Sequence, residues 1–163
     1  MTTGTVRTQG TELFVIDPLN FTDPTRVKMA CPTGVQGLGG ARDQVEDTCL
    51  DTTGDKTYQA GLGNPGQVTV PFNLIPRDAS HQHLFALKAD GRVLKWIVCL
   101  AEGVGVPEID TDGEFTAPAD RSSIKFSGFV SDVTIDIATN EIVRGTLQIQ
   151  RSGDVEFNAY TPA

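Results

Sequence analysis

The chain has 163 residues, an apolar share of 39%, aromatics at 7% and a formal net charge of −8. That is length for one domain burying about 70% of its unfolded surface, with too much apolar content for a disordered tail and no run near the ~20 apolar residues of a membrane span. The acidic balance excludes a binder that grips phosphates, because such a binder needs a basic footprint.

Residues 1–10, MTTGTVRTQG, are small and polar and read as an N-terminal arm. They hold one Arg and no apolar block, so no secretory signal is expected and the protein is expected to stay in the cytosol where it is made. Three widely spaced cysteines, Cys31, Cys49 and Cys99, are then expected as thiols.

Thr11–Asp17, TELFVID, is a short strand ended by the Asp17-Pro18 turn signal. Thr25–Ala30, TRVKMA, alternates Val27 and Met29 with Arg26 and Lys28, the pattern of a half-buried strand. From Cys31 to Gly66 the pattern dissolves into Gly, Asp and Thr. The segment is far longer than an ordinary connection, and is read as a long inter-strand loop acting as an arm. Its scattered Val35, Leu38, Val45, Leu50, Tyr58 and Leu62 are expected to be buried on a partner, with the arm gaining order there, a merely floppy loop being the alternative.

Gln67–Leu74 has the clearest alternation in the chain: Val68, Val70, Phe72 and Leu74 against Gln67, Thr69, Pro71 and Asn73. Pro71 lacks an N–H, which predicts a sheet edge or a bulge. Asp78 or Ser80 then caps a short helix with Leu84 and Leu87 on one face and Gly91 as its stop. Arg92–Ala101, RVLKWIVCLA, is almost wholly apolar, as a strand covered on both faces would be, with Trp96 as a core aromatic. Glu102–Ser123 is turn-rich, with room for a minor hairpin. Ser123–Ile137 and Glu141–Gln150 are two long strands joined at Ala138-Thr139-Asn140, a hairpin with one wet face. Residues 151–163 taper into a C-terminal tail. Six or seven strands and one helix in one domain, with no internal repeat, predict a mainly β fold: a β-sandwich or open barrel with a flanking α-helix.

No catalytic constellation emerges. His81 and His83 stand about 200° apart on a helix, so they cannot share a metal as an i, i+4 pair does, and they read as surface or capping residues. Asp110, Asp112 and Glu114 in IDTDGEF resemble the start of a calcium loop, but Arg121 stands where the bidentate Glu belongs; a turn with solvated carboxylates is favoured, with a weak calcium site as the alternative. Gly37-Leu38-Gly39-Gly40 lacks the ending of a phosphate cradle, and Cys31 and Cys49 lack CxxC spacing for zinc. No serine sits in a nucleophile elbow. An enzyme, a cofactor and a metal are therefore not expected.

The ACPTGVQGLGGARDQVEDTCLD segment, the YQAGLGNPG approach to a strand and the PRDASHQHL strand-to-helix junction resemble the major tail tube proteins of lambda-type long-tailed bacteriophages. LKWIVCLAEG and the passage from DGEF to SIKFSGFVSDV extend the likeness over about residues 10 to 150. The resemblance implies a β-sandwich with a flanking helix, six copies closing into a ring, and rings stacking into a hollow tube in the virion tail, assembled in the host cytoplasm. It implies an inner sheet from each subunit around the lumen, a long loop (31–66) reaching the next ring, and terminal arms that help stacking. The implied partners are further copies of the chain, a tape measure protein, a tail terminator and a distal tail protein, while DNA passes through without specific binding. A chain of this length is expected to lack the added immunoglobulin-like domain that some family members carry.

Six copies would carry roughly −48, so an acidic lumen would repel DNA phosphates. From strand alternation, Asp132, Thr134 and Asp136 with Arg144, Thr146 and Gln148 are the candidate lumen residues; Arg144 would need a carboxylate nearby. The competing readings are the inner tube of a contractile injection or secretion apparatus and a stand-alone β-sandwich binding module.

Overall fold

The computed structural model describes residues 4–17 and 25–161. Pro18 of the expected Asp17-Pro18 turn, residues 1–3 of the N-terminal arm and residues 162–163 of the tail lie outside that range. In chain order the elements are β1 (Glu12–Asp17), β2 (Thr25–Lys28), β3 (Gly40–Glu46), β4 (Tyr58–Pro65), β5 (Gln67–Asn73) and α1 (Ala79–Asp90). There follow β6 (Leu94–Cys99), β7 (Glu108–Ile109), β8 (Phe115–Thr116), β9 (Ser123–Asp136), β10 (Arg144–Arg151) and β11 (Glu156–Asn158).

The alternation that predicted β5 decides its packing. Val68, Val70 and Phe72 are fully buried and the residues between them are not. The strand ends a seven-stranded antiparallel sheet of order β2-β1-β6-β9-β10-β5, with β11 joining β9 off that path. Its outer edge is lined by residues 31–36: Thr33 N–H donates to the Pro71 carbonyl at 2.8 Å, Gln36 and Thr69 exchange two bonds at 2.9 Å, and Asn73 N–H donates to the Cys31 carbonyl at 3.1 Å. Residues 69, 71 and 73 thus face this side, so the N–H that Pro71 lacks is missing at the edge, where a sheet tolerates it.

Leu13 and Val15 of β1 and Val68, Val70 and Phe72 of β5 share one core cluster with Leu94, Trp96, Phe126, Val130, Val133, Leu147 and Ile149. The sheet therefore curls over a common interior without closing, and α1 packs into the cluster through Leu84 and Leu87, each worth about 1.5–3 kcal/mol of apolar burial. Asp78 caps the helix by accepting from Ser80 N–H at 2.9 Å, and Gly91 ends it in the left-handed region at φ 70°. His81, expected as a surface or capping residue, is buried. Its Nδ1 accepts from Ile75 N–H at 2.9 Å, Nε2–H donates to the Ala30 carbonyl at 2.6 Å, and its ring lies 4.7 Å from that of Phe72. Ser80 Oγ accepts from Ala30 N–H at 3.1 Å. The helix start is thereby tied both to the chain after β2 and to β5, the two ends of the open sheet.

Strand β6 is covered on both faces, as its apolar run requires. Trp96 stacks on Phe126 at 6.3 Å and donates from Nε1 to the Gly128 carbonyl at 3.0 Å. On the opposite face Ile97 and Cys99 join Phe14, Ile16 and Phe115 in a second cluster under the minor hairpin β7–β8. Burial pushes the Cys99 thiol up to about 11, so it is an inert core residue.

Three expectations need correction. Cys31–Gly66 is not a structureless loop, because β3 and β4 pair with each other as an antiparallel ribbon. Residues 151–163 are not merely a tail: Arg151 closes β10, and Glu156, Phe157 and Asn158 pair with Lys125, Ile124 and Ser123. Eleven strands rather than six or seven are present among the described residues, the excess being the ribbon and three short pieces. Both ribbon faces are wet, so no alternation in hydropathy marked its strands.

Candidate functional site

Beyond Gly128, β9 loses its β6 partner and pairs only with β10. There the outward side chains of β9, β10 and β5 fall into rows. Asp136, Arg144 and Asn73 are register partners; so are Thr134, Thr146 and Pro71; so are Asp132, Gln148 and Thr69. The six residues singled out in the sequence are three cross-strand pairs. Their neighbours Val133, Leu147 and Val70 point inward and are buried, as a period of two demands.

This wall is mostly hydroxyl and amide, and its charges are balanced. Arg144 has its carboxylate directly across the ladder in Asp136. Asp132 takes an ion pair at 3.0 Å from Lys88 of α1, and that hydrogen bond holds its carboxyl below the usual range. A bulge precedes it: Gln148 pairs with Asp132 and Ile149 with Val130, which leaves Ser131 as the extra residue, its Oγ donating to the Gln148 carbonyl at 3.1 Å.

The second surface is the β3–β4 ribbon, exposed along almost its whole length. Glu46 faces Tyr58, Gln44 faces Ala60 and Arg42 faces Gly63, with one more irregularity between Arg42 and Gln44. Near the tip, Asp47 N–H donates to the Thr57 carbonyl at 3.0 Å and Gln59 Nε2 to the Asp47 carboxylate at 2.6 Å. Glu46, Asp47, Asp51 and Asp55 make that tip acidic against Lys56, which pairs with Glu46 at 3.5 Å. Leu50 is 105% exposed and Leu62 84%, with Val45 and Tyr58 about half exposed. Val35 and Leu38, grouped with these in the sequence, instead pack against the main core of their own chain. The segment thus divides into a seated root and a bare ribbon. A two-stranded ribbon with neither face covered is marginal alone.

The remaining sequence candidates resolve into local structure. Asp110 turns its carboxylate back to accept from Asp112 N–H and Glu114 N–H, each at 2.9 Å, and Gly113 takes φ 78° to close the β7–β8 turn. Gly37, at φ 86°, lies so close to the Gln67 carbonyl that any Cβ would collide with it, a packing reason for that glycine. Cys31 and Cys49 are exposed and Cys99 is buried. Among the described residues no group of three or more His, Cys, Asp or Glu side chains could hold a metal ion, and no helix is long and apolar enough to cross a membrane. Two residues that sequence reasoning passed over are Arg121 and Arg151, both buried. Arg121 precedes β9 among polar neighbours with no period to mark it, whereas Arg151 ends β10 on the inward phase of Leu147 and Ile149, the one signal that could have found it.

Residues 4–161 match the family model described as phage tail tube, TTP, lambda-like. "Structural protein 3" of Pseudomonas phage PAJU2 is 38% identical over 155 residues, covering 91% of each chain. The fold is similar to the tail tube of SPP1, with a TM-score of 0.59 at 10% identity over 97% of this chain and 81% of that one. It is also similar to a chain of the anti-feeding prophage baseplate, with a TM-score of 0.68 at 9% identity over 99% and 100%. At such identities these two likenesses speak for the fold, while the family match and the phage relative speak for kinship. The chain belongs to the lambda-like family of phage tail tube proteins.

Proposed function

We propose that six copies of this chain close into a ring, that the polar wall of β5, β10 and β9 faces its lumen, and that rings stack through the ribbon into a tube that conducts DNA. Membership of the family makes the chain a structural subunit of a phage tail tube, a component of the virion tail that assembles with its own copies. The finer reading rests on one observation: three rows of register-paired residues, all but Pro71 polar, cover one face of a sheet in which β9 past Gly128, on its β6 side, and residues 31–36, on their outer side, have no strand beside them.

Those margins supply the joints. The stretch of β9 past Gly128 has no β6 strand beside it, and residues 31–36 turn their outer side away from β5. Unpaired margins invite aggregation in a monomer and become contacts when identical copies close a ring. A wall of Thr, Gln and Asn with balanced charge offers phosphates no cluster of cations to hold. The net −8 per copy adds a repulsive background, so DNA would slide without specific binding. The role is non-enzymatic, with one domain carrying both surfaces. The tape measure protein, tail terminator and distal tail protein are the expected partners inside and at the ends of the tube.

Negative-stain microscopy of the concentrated protein tests this reading. Rings or tubes with a central channel are expected, and a strict monomer at every concentration would overturn it.

A further inference from the structure

The ribbon is held to the body at two feet, and both are gripped by the last two residues of one wall strand. Arg151 Nη1 donates to the Gly37 carbonyl at 3.4 Å and to the Gly39 carbonyl, on the chain entering β3. Gln150 Nε2 donates to the Pro65 carbonyl at 3.4 Å, where β4 ends, and Arg151 N–H donates to the Gly66 carbonyl at 3.3 Å. Arg151 is 5% exposed, and its Nε has no hydrogen-bond partner. Burying a guanidinium on backbone carbonyls, with one donor orphaned, is costly, and such a cost calls for a use of the position it enforces.

Little else fixes that position. A cleft of about 280 Å³, lined by Gly40, Ala41, Arg42 and Gly63 of the ribbon and by Arg151 and Asp154, lies beside the ribbon root. Apolar packing does not fill it, so these few polar bonds and the seated Leu38 set the ribbon's direction. The rigid planar fork of an arginine suits this task better than a flexible ammonium would.

We propose that Gln150 and Arg151 are positioning residues that preset the angle at which the ribbon leaves the body, so that it meets a second copy of the chain already aimed. This rests on the reading that the ribbon makes the ring-to-ring contact. An interaction element already oriented loses less freedom on binding than one that must be ordered there.

The test uses nitroxide labels on Cys49, at the ribbon tip, and on Glu141→Cys, in a Cys31→Ser background with Cys99 buried. Double electron–electron resonance on the dilute monomer is expected to give one narrow distance, at least doubling in width in Arg151→Gln and widening less in Gln150→Ala. The concentration needed for tubes, followed by sedimentation, is expected to rise about tenfold in Arg151→Gln. A broad distribution in the parent, a narrow one in both variants, or a broadened one with an unchanged assembly threshold would each overturn the clamp. If circular dichroism shows Arg151→Gln unfolded, Gln150→Ala at its half-buried site carries the same test. Tubes from a chain with a shortened ribbon would end the docking reading alone, while the distance widths still report on the clamp.

Discussion

Lys88 of the helix and Asp132 of the wall strand β9 form an ion pair at 3.0 Å. The first acid of the polar wall is thereby committed to a neighbour within the subunit. Of the candidate lumen residues, this leaves the Thr134–Thr146 pair as a neutral row between it and the Asp136–Arg144 pair. Adding cations there changes the wall without touching the core beneath. Thr134→Lys with Thr146→Lys is expected to leave tubes intact by microscopy and to lower the plating efficiency of phage carrying it by at least tenfold. Normal infection by such particles would refute the sliding argument.

Ala41 and Asn64 are register partners near the ribbon root. Replacing Arg42–Gly63 by an Asn-Gly turn between them should therefore give a closed, shorter hairpin. The seated Val35 and Leu38 and the strand-like 31–36 segment are retained. The expected product is a folded subunit with an unchanged circular dichroism spectrum that no longer stacks. Long tubes from this variant would remove the ribbon from the stacking contact.

Legibility in the sequence divided along physical lines. Strands β5, β9 and β10 were readable because each has a buried side that writes its period into the residues, and β6 because a strand covered on both faces is apolar throughout. The helix was readable because Asp78 and Gly91 act within a turn of its ends. The wall was readable as two half-rows, while their pairing needed the register and its bulge. The ribbon was not readable, since strands wet on both faces carry no hydropathic alternation. The burial of His81 was not legible because one of its hydrogen-bond partners is Ala30, 51 residues away in the chain, and no local pattern encodes that. The acceptors of Arg121 and Arg151 were missed for the same reason, lying 18 to 114 residues away.

Arg121 Nη2 donates to Glu12 Oε2 at 2.9 Å from a side chain that is 1% exposed. Burial raises the Glu12 pKa, but hydrogen bonds from Arg121 and Lys28 outweigh it, and the net position is below the ordinary carboxylate value. A carboxylate depressed in the folded state contributes stability above its unfolded pKa, near 4, and loses it as pH falls through the lower folded value. Glu12→Gln strands the buried guanidinium and is expected to cost about 2–4 kcal/mol at pH 7. It should also flatten the loss of stability on acidification below about pH 5. Urea unfolding followed by fluorescence of Trp96, the single tryptophan, measures both. An equally steep acid limb in the variant would show that this pair does not govern it.

Cys99 is buried, with its thiol pushed up to about 11, whereas Cys31 and Cys49 are exposed. Iodoacetamide at pH 8 should therefore add two groups to the native protein and a third only in denaturant, as read by intact mass. Rapid modification of Cys99 in the native state would contradict its place under the β7–β8 hairpin.

The extra residue at Ser131 has a consequence for how this chain tolerates a change of length. Val130 and Asp132 already stand opposite Ile149 and Gln148, so deleting it would leave a regular ladder with Val130 and Val133 inward and Asp132, Thr134 and Asp136 outward. The strand has one residue of slack there and none beyond it: losing Thr134 instead would turn Asp136 to the face of Val133. The ribbon tip, likewise, can gain or lose a residue pair without moving any buried atom.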